Sequence, residues 1–267
     1  MTTETLFPVD VPEREVLEFR AAGFEGSVPG VVYRGSNPPI CGMPLGGLAT
    51  GCLDLEATGL LGYCTVFNSL LPRRAPLEPL LGISVGRRTW VLSMLNMAWR
   101  DERPPAQRAP GRDKTAELDG DQSAYRLIGV TWGNQLKRAY YHGVRSASEI
   151  HYWGHYPVAD VEFATDAPVG VGLRAWAPFI PGDTSASGTP GAVFEVHLRN
   201  QTDRPQKGTL AFSFPGPTEA EAGTTHFSRR PIDARLRGVH VTSDQASYVL
   251  GTIDGPVPRI GGSLGND

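Results

Sequence analysis

Residues 158–176 read VADVEFATDAPVGVGLRAW. Val161 and Phe163 alternate with Asp160 and Glu162. A period of two is that of an extended chain with one face buried and one face wet. Thr165-Asp166-Ala167-Pro168 then supplies turn chemistry before a second apolar run. The stretch predicts a strand at Val158–Ala164, a tight turn, and a strand at Val169–Trp176.

The same pattern extends in both directions. Downstream, Phe194, Val196 and Leu198 alternate with Glu195, His197 and Arg199. Leu210, Phe212 and Phe214 alternate with Thr209, Ala211 and Ser213, and the polar run Asn200 to Pro205 separates the two. Upstream, Leu80–Val85 and Thr89–Ser93 flank Gly86-Arg87. Glycine at the first turn position suits a type II′ hairpin. Turn signals recurring every 8–12 residues or so, with no long amphipathic helix, predict an all-β fold. We read it as one large antiparallel β-sandwich with long Pro- and Gly-rich loops. The 32 Gly and 23 Pro residues agree, because both break helices and punctuate short strands.

The sequence divides the 267 residues into three parts. Residues 1–29 read as an amino-terminal arm, with a helical turn or two expected over Pro12–Phe19. Residues 30–254 read as the sandwich. Residues 255–267 read as a Gly/Pro-rich tail or a truncated linker. Within the sandwich, residues 101–123 are polar and Pro-rich and read as a long exposed loop.

Charge excludes one class of partner. The net charge is -3 and the 25 Lys and Arg residues are scattered. Nucleic-acid binding releases counterions along a basic stripe, and the chain has none. The opening MTTETLFPVDVPEREV lacks a basic stretch followed by an apolar core. No run approaches the roughly 18 apolar residues of a membrane span. We therefore expect a cytoplasmic protein without a membrane span. Cys41, Cys52 and Cys64 form no CxxC pair and read as buried small hydrophobes in a reducing compartment. The Asn200-Gln201-Thr202 sequon reads as a chance match.

Three motif matches fail on context. Gly82-Ile83-Ser84-Val85-Gly86 fits G-x-S-x-G, but a nucleophilic serine there needs a following helix, and a hairpin follows instead. Gly170-x-Gly172-x-x-Ala175 resembles a dinucleotide fingerprint, yet Pro178 and Pro181 forbid the helix that would hold a pyrophosphate. His151 and His155 form HxxxH, which binds zinc on a helix. On a strand the two lie about 13 Å apart. We expect no metal and no cofactor.

One ordered series of segments is specific. Residues 42–52 read GMPLGGLATGC, followed by Thr65-Val66-Phe67-Asn68. Residues 151–157 read HYWGHYP, residues 173–183 LRAWAPFIPGD, and residues 189–200 TPGAVFEVHLRN. In order and spacing they resemble the amino-terminal domain of glycoside hydrolase family 116, over roughly Ile40 to Leu250. That family includes the non-lysosomal glucosylceramidases, or bile-acid β-glucosidases, and bacterial β-glucosidases. The resemblance implies an antiparallel sandwich packed on a carboxy-terminal helical barrel. In the family that barrel carries a Glu nucleophile and an Asp acid/base. Two such carboxyl groups about 5 Å apart perform retaining hydrolysis. The family's substrate class, a β-glucoside or a glucosylated lipid, follows from the resemblance alone.

This chain stops at Asp267, before any helical barrel and before further strands expected of the family's sandwich. No catalytic position of the family has a counterpart in it, so we assign none and expect the chain alone to be inactive. Its expected partner is the helical catalytic domain of the same enzyme. His151, Tyr152, Trp153 and Tyr156 make an aromatic cluster, and Tyr152, Trp153 and His155 are the candidate substrate contacts, with Trp153 the best ring for stacking on a sugar. Packing against the sandwich is the competing reading. Leu173 and Ala175 continue an inward strand face while Arg174 and Trp176 point the other way. Trp176, Phe179 and Asp183 are candidate contacts with the partner domain. Two other functions remain open on this reading: a free-standing carbohydrate-binding sandwich and a protein-interaction domain.

Overall fold

The computed structural model describes residues 16–20, 25–34, 42–62, 64–65, 79–94, 97–101, 136–140, 144–214, 216–217, 219–224, 226–253 and 255. The strands are β1 Val16–Arg20, β2 Ser27–Arg34, β3 Gly42–Leu45, β4 Leu53–Glu56, β5 Leu81–Val85, β6 Arg88–Val91, β7 Met97–Asp101 and β8 Leu136–Tyr140. They continue as β9 Val144–Arg145, β10 Glu149–His155, β11 Val158–Ala164, β12 Val169–Trp176 and β13 Val193–Asn200. The last four are β14 Gly208–Phe212, β15 Ser228–Asp233, β16 Arg237–Thr242 and β17 Ser247–Thr252. Two four-residue helical turns, α1 Thr184–Ser187 and α2 Glu219–Ala222, interrupt them.

A six-stranded antiparallel sheet, in the order β1-β2-β10-β11-β12-β13, forms one layer. A four-stranded sheet, β14-β5-β6-β9, forms the other. A three-stranded sheet β15-β16-β17 and the hairpins β3-β4 and β7-β8 complete the described structure. The strands foreseen at Val158–Ala164 and Val169–Trp176 stand at those residues. So does the hairpin around Gly86, whose φ of 62° meets the type II′ requirement at the first turn position. Ser84 sits in that hairpin, bonded to the Arg88 carbonyl oxygen at 3.3 Å. Gly170 and Gly172 lie inside β12, and His151 lies inside β10.

One expectation is overturned. Val16 to Phe19 is not helical: it forms most of β1, which pairs with β2, and β2 pairs with β10. The open edge of β2 offers this segment a ladder of main-chain partners, which a turn or two of isolated helix cannot match. Asp101, the first residue of the expected loop, closes β7; the rest of the segment 101–123, Cys41 and residues 256–267 of the expected tail lie outside the described residues.

The core fills the space between the two large sheets. Cross-strand register lines up its inner rows: Ile150, Phe163 and Val171 in one, and Tyr152, Val161, Leu173 and Val196 in the next. The second sheet brings Leu81, Ile83, Val85 and Trp90 against them. Phe194 of β13 meets Phe212 of β14 at 5.0 Å between ring centroids. Each fully buried aliphatic or aromatic side chain contributes about 1.5–3 kcal/mol.

Trp90 joins the layers with a polar bond as well. Its ring is fully buried, and its Nε1–H donates to Asp166 Oδ1 at 2.6 Å. Asp166 belongs to the turn between β11 and β12, and Arg145 also pairs with it. Trp90 first, then Arg145, hold the Asp166 carboxyl below the usual carboxylate range. A depressed carboxyl stabilises the fold above its unfolded pKa near 4 and stops doing so as pH falls through the folded value. We expect Trp90→Ala to cost about 3–5 kcal/mol in urea unfolding. Asp166→Ala lowers Tm at pH 7 by leaving the indole N–H unpaired, and its gap from wild type narrows below about pH 4.

Candidate functional site

Four of the segments singled out in the sequence meet at one end of the sandwich. After β3 the chain turns through Gly46 to Gly51 and returns as β4. This loop closes on itself: Thr50 N–H and Oγ1 both bond the Gly47 carbonyl oxygen, at 3.1 and 2.8 Å. A Cβ on Gly47 would overlap the Thr189 carbonyl, so only glycine permits this approach. Leu48 N–H then donates to the Ser187 carbonyl oxygen at 2.7 Å. The loop is thereby docked on the segment that leaves β12. Cys52 pairs with Thr65 behind it, while Val66, Phe67 and Asn68 lie outside the described residues.

That second segment is held by its own polar bonds. Asp183 caps α1, its Oδ1 accepting from Ala186 N–H at 2.8 Å. Such a cap satisfies a donor that the helical turn cannot. The buried Ser187 hydroxyl accepts from Ile180 N–H at 2.9 Å and donates to the Ile180 carbonyl oxygen at 3.0 Å. The result is a firm backbone that leaves large apolar side chains in water. Leu48 is 48% exposed, Tyr156 51%, Phe179 40% and Ile180 52%. Tyr156, in the turn after β10, meets Phe179 edge-on with ring centroids 5.5 Å apart. Large apolar groups gathered on a rigid frame mark a contact surface rather than a core.

The sequence candidates fall in different places. Tyr152 lies in the core cluster, packed beneath β10. Trp153 and His155 are backbone members of β10, opposite Asp160 and Val158. Their side chains lie outside the described residues. Trp176 is half-buried opposite Val193, Phe179 is exposed within the apolar cluster, and Asp183 shapes the backbone beneath it. Leu48 and Ile180 were missed as members of this surface, while Tyr156, read as part of the aromatic cluster, joins Phe179 there. Leucine and isoleucine in a sequence read as core, and only the fold turns these outward.

A second group escaped the sequence altogether. Glu56, at the end of β4, is 5% exposed. Its Oε1 lies against Gly62, where a Cβ would overlap it. Among the described residues its Oε2 has no hydrogen-bond partner. Burial, and then the nearby Asp54 charge, push the Glu56 carboxyl up to about 7. An acid raised in the folded state stabilises fully below its unfolded pKa, near 4.5, and that stability is lost as pH rises to about 7. The loss is about 3 kcal/mol, taking 1.36 kcal/mol per unit. We expect Glu56→Gln to raise Tm at pH 8 and to leave it unchanged at pH 4. Equal Tm values for the two proteins at pH 8 would show that the carboxylate is neutralised by another group.

The family comparison bears on these same segments. A family profile described as "beta-glucosidase 2, glycosyl-hydrolase family 116 N-term" matches residues 42–249. A comparison with curated proteins returns no match. The profile starts at the first residue of β3 and ends inside β17, so it spans the four-stranded sheet, strands β10 to β13 of the six-stranded sheet and the apolar end described above, with β1 and β2 lying before it. It covers most of the chain, and the all-β sandwich agrees with it: the chain belongs to glycoside hydrolase family 116 as a domain of the family's amino-terminal type.

Proposed function

We propose that the chain is the non-catalytic sandwich of a β-glucosidase or glucosylceramidase-like hydrolase, and that it supports a separate helical catalytic domain. The matched family region is amino-terminal by description, so a catalytic domain belongs beside it in the full enzyme. The carrying observation is the exposed apolar end, where Leu48, Tyr156, Phe179 and Ile180 stand on a backbone braced by Ser187 and Asp183. Two paired carboxyl groups perform retaining hydrolysis, and in this reading both come from the helical partner. The sandwich contributes an apolar seat for that partner and one wall of the substrate entrance. The substrate is a β-glucoside or a glucosylated lipid.

The experiment mixes this chain with a separately produced helical catalytic domain of a family 116 enzyme. Co-elution on gel filtration and hydrolysis of an aryl β-glucoside by the mixture are expected, with no hydrolysis by the chain alone. Ile180→Asp places a charge in the seat and weakens association roughly tenfold or more, with Tm unchanged because Ile180 is exposed. Hydrolysis by the isolated chain, or failure of wild type to associate, would overturn the reading.

A further inference from the structure

β13 is an edge strand: it pairs with β12 on one side, and no described strand lies on the other. The adjoining run from Leu198 to Leu210 is exposed throughout. Leu198 shares the inward face of β13 with Phe194 and Val196, yet it is 56% exposed. The second layer reaches Phe194 through Phe212 but does not extend over Leu198. An edge of this kind presents unused N–H and C=O groups beside uncovered apolar surface.

Native edges are blunted by charged side chains, proline or bulges. β13 has no proline and no bulge, and its charges are of both signs. It reads Val193-Phe194-Glu195-Val196-His197-Leu198-Arg199-Asn200, with one acid and one base four residues apart on the outward face. Glu195 and Arg199 are both exposed, and their present partners are His197 and Glu162, at 3.0 and 3.5 Å. Like charges would repel a second copy, whereas this arrangement is complementary to its own reverse.

We infer that β13 is the seat of a homodimer, two copies pairing antiparallel about a two-fold axis at His197. The register follows from parity. Side chains alternate along a strand, and so do outward-pointing main-chain groups. Only a register that pairs even positions with even ones keeps the inner faces together and the free donors opposite free acceptors. Centring on His197 sets Glu195 opposite Arg199 of the second copy, twice, and Val196 opposite Leu198, twice. Directly opposed side chains lie about 4.5–5.5 Å apart, within reach of an ion pair and of apolar contact. The pairing covers Leu198 and joins the two six-stranded sheets edge to edge. It uses β13 and leaves the apolar end around Ile180 free.

Sedimentation equilibrium of the whole chain at low salt tests this. Wild type is expected as a dimer in reversible exchange with monomer. Glu195→Lys and Arg199→Glu each set like charges opposite one another and weaken the dimer roughly tenfold or more. The double variant restores the opposite pairing and returns the dimer to near the wild-type constant. Both side chains are exposed, so far-UV circular dichroism is expected to be unchanged in all variants. A wild-type chain that stays monomeric at 0.1 mM (roughly a hundredfold above a micromolar constant) overturns the inference. So does a pair of single variants that dimerise like wild type, or a double variant that fails to recover.

Discussion

The pairing of Asp160 with Arg174 holds the register on which the large sheet depends. Arg174 grips the Asp160 carboxylate with two bonds, Nε to Oδ1 at 2.8 Å and Nη2 to Oδ2 at 3.2 Å. Asp160 is buried, so its charge needs this partner, and removing one member of such a pair strands the other. Asp160 and Arg174 are directly opposed in the β11–β12 ladder. A slip of one residue would break the fork and turn the inward residues of one strand, Val161 and Phe163 or Leu173 and Ala175, away from the core. The ion pair and the pleat therefore impose the same register, one through charge and the other through burial.

With that register set, both ends of the sheet acquire distinct characters. The end where β10 turns and β12 departs collects the glycine loop, α1 and the exposed ring pair. Its backbone is fastened by short polar bonds, while its apolar side chains face water. The lateral edge at β13 combines a free backbone ladder with Leu198 and a reversible charge pattern. A sandwich supports two separate surfaces in this way because each arises from a different element of its geometry, strand ends in one case and a strand edge in the other.

Buried polar groups divide into two kinds. Trp90 with Asp166, and Asp160 with Arg174, are matched donors and acceptors that tie strands and layers together. Glu56 is different: its carboxyl is enclosed beside Asp54, and protonation is what makes its burial tolerable. Its effect is to couple the β3–β4 hairpin to pH. That hairpin also presents the loop that docks on Ser187, so the same element carries the pH-sensitive group and part of the contact surface.

Much of this architecture is legible in the sequence because local chemistry carries it. Alternation in VADVEFA and VFEVHL, proline and glycine in the turns, and the close approach of Gly46 to Gly51 each act over a few residues. The family resemblance is likewise readable from five segments in order. The strand at Val16–Arg20 was not readable, because its conformation comes from pairing with β2, itself held by the distant β10, and not from its own composition. The outward placement of Leu48 and Ile180, the enclosure of Glu56 and the uncovered position of Leu198 were hidden for the same reason. Burial is a property of what the second layer covers, and side-chain type does not specify that. The sequence by itself determined strand, turn and family; tertiary packing alone decided which apolar groups meet water and which carboxyl loses it.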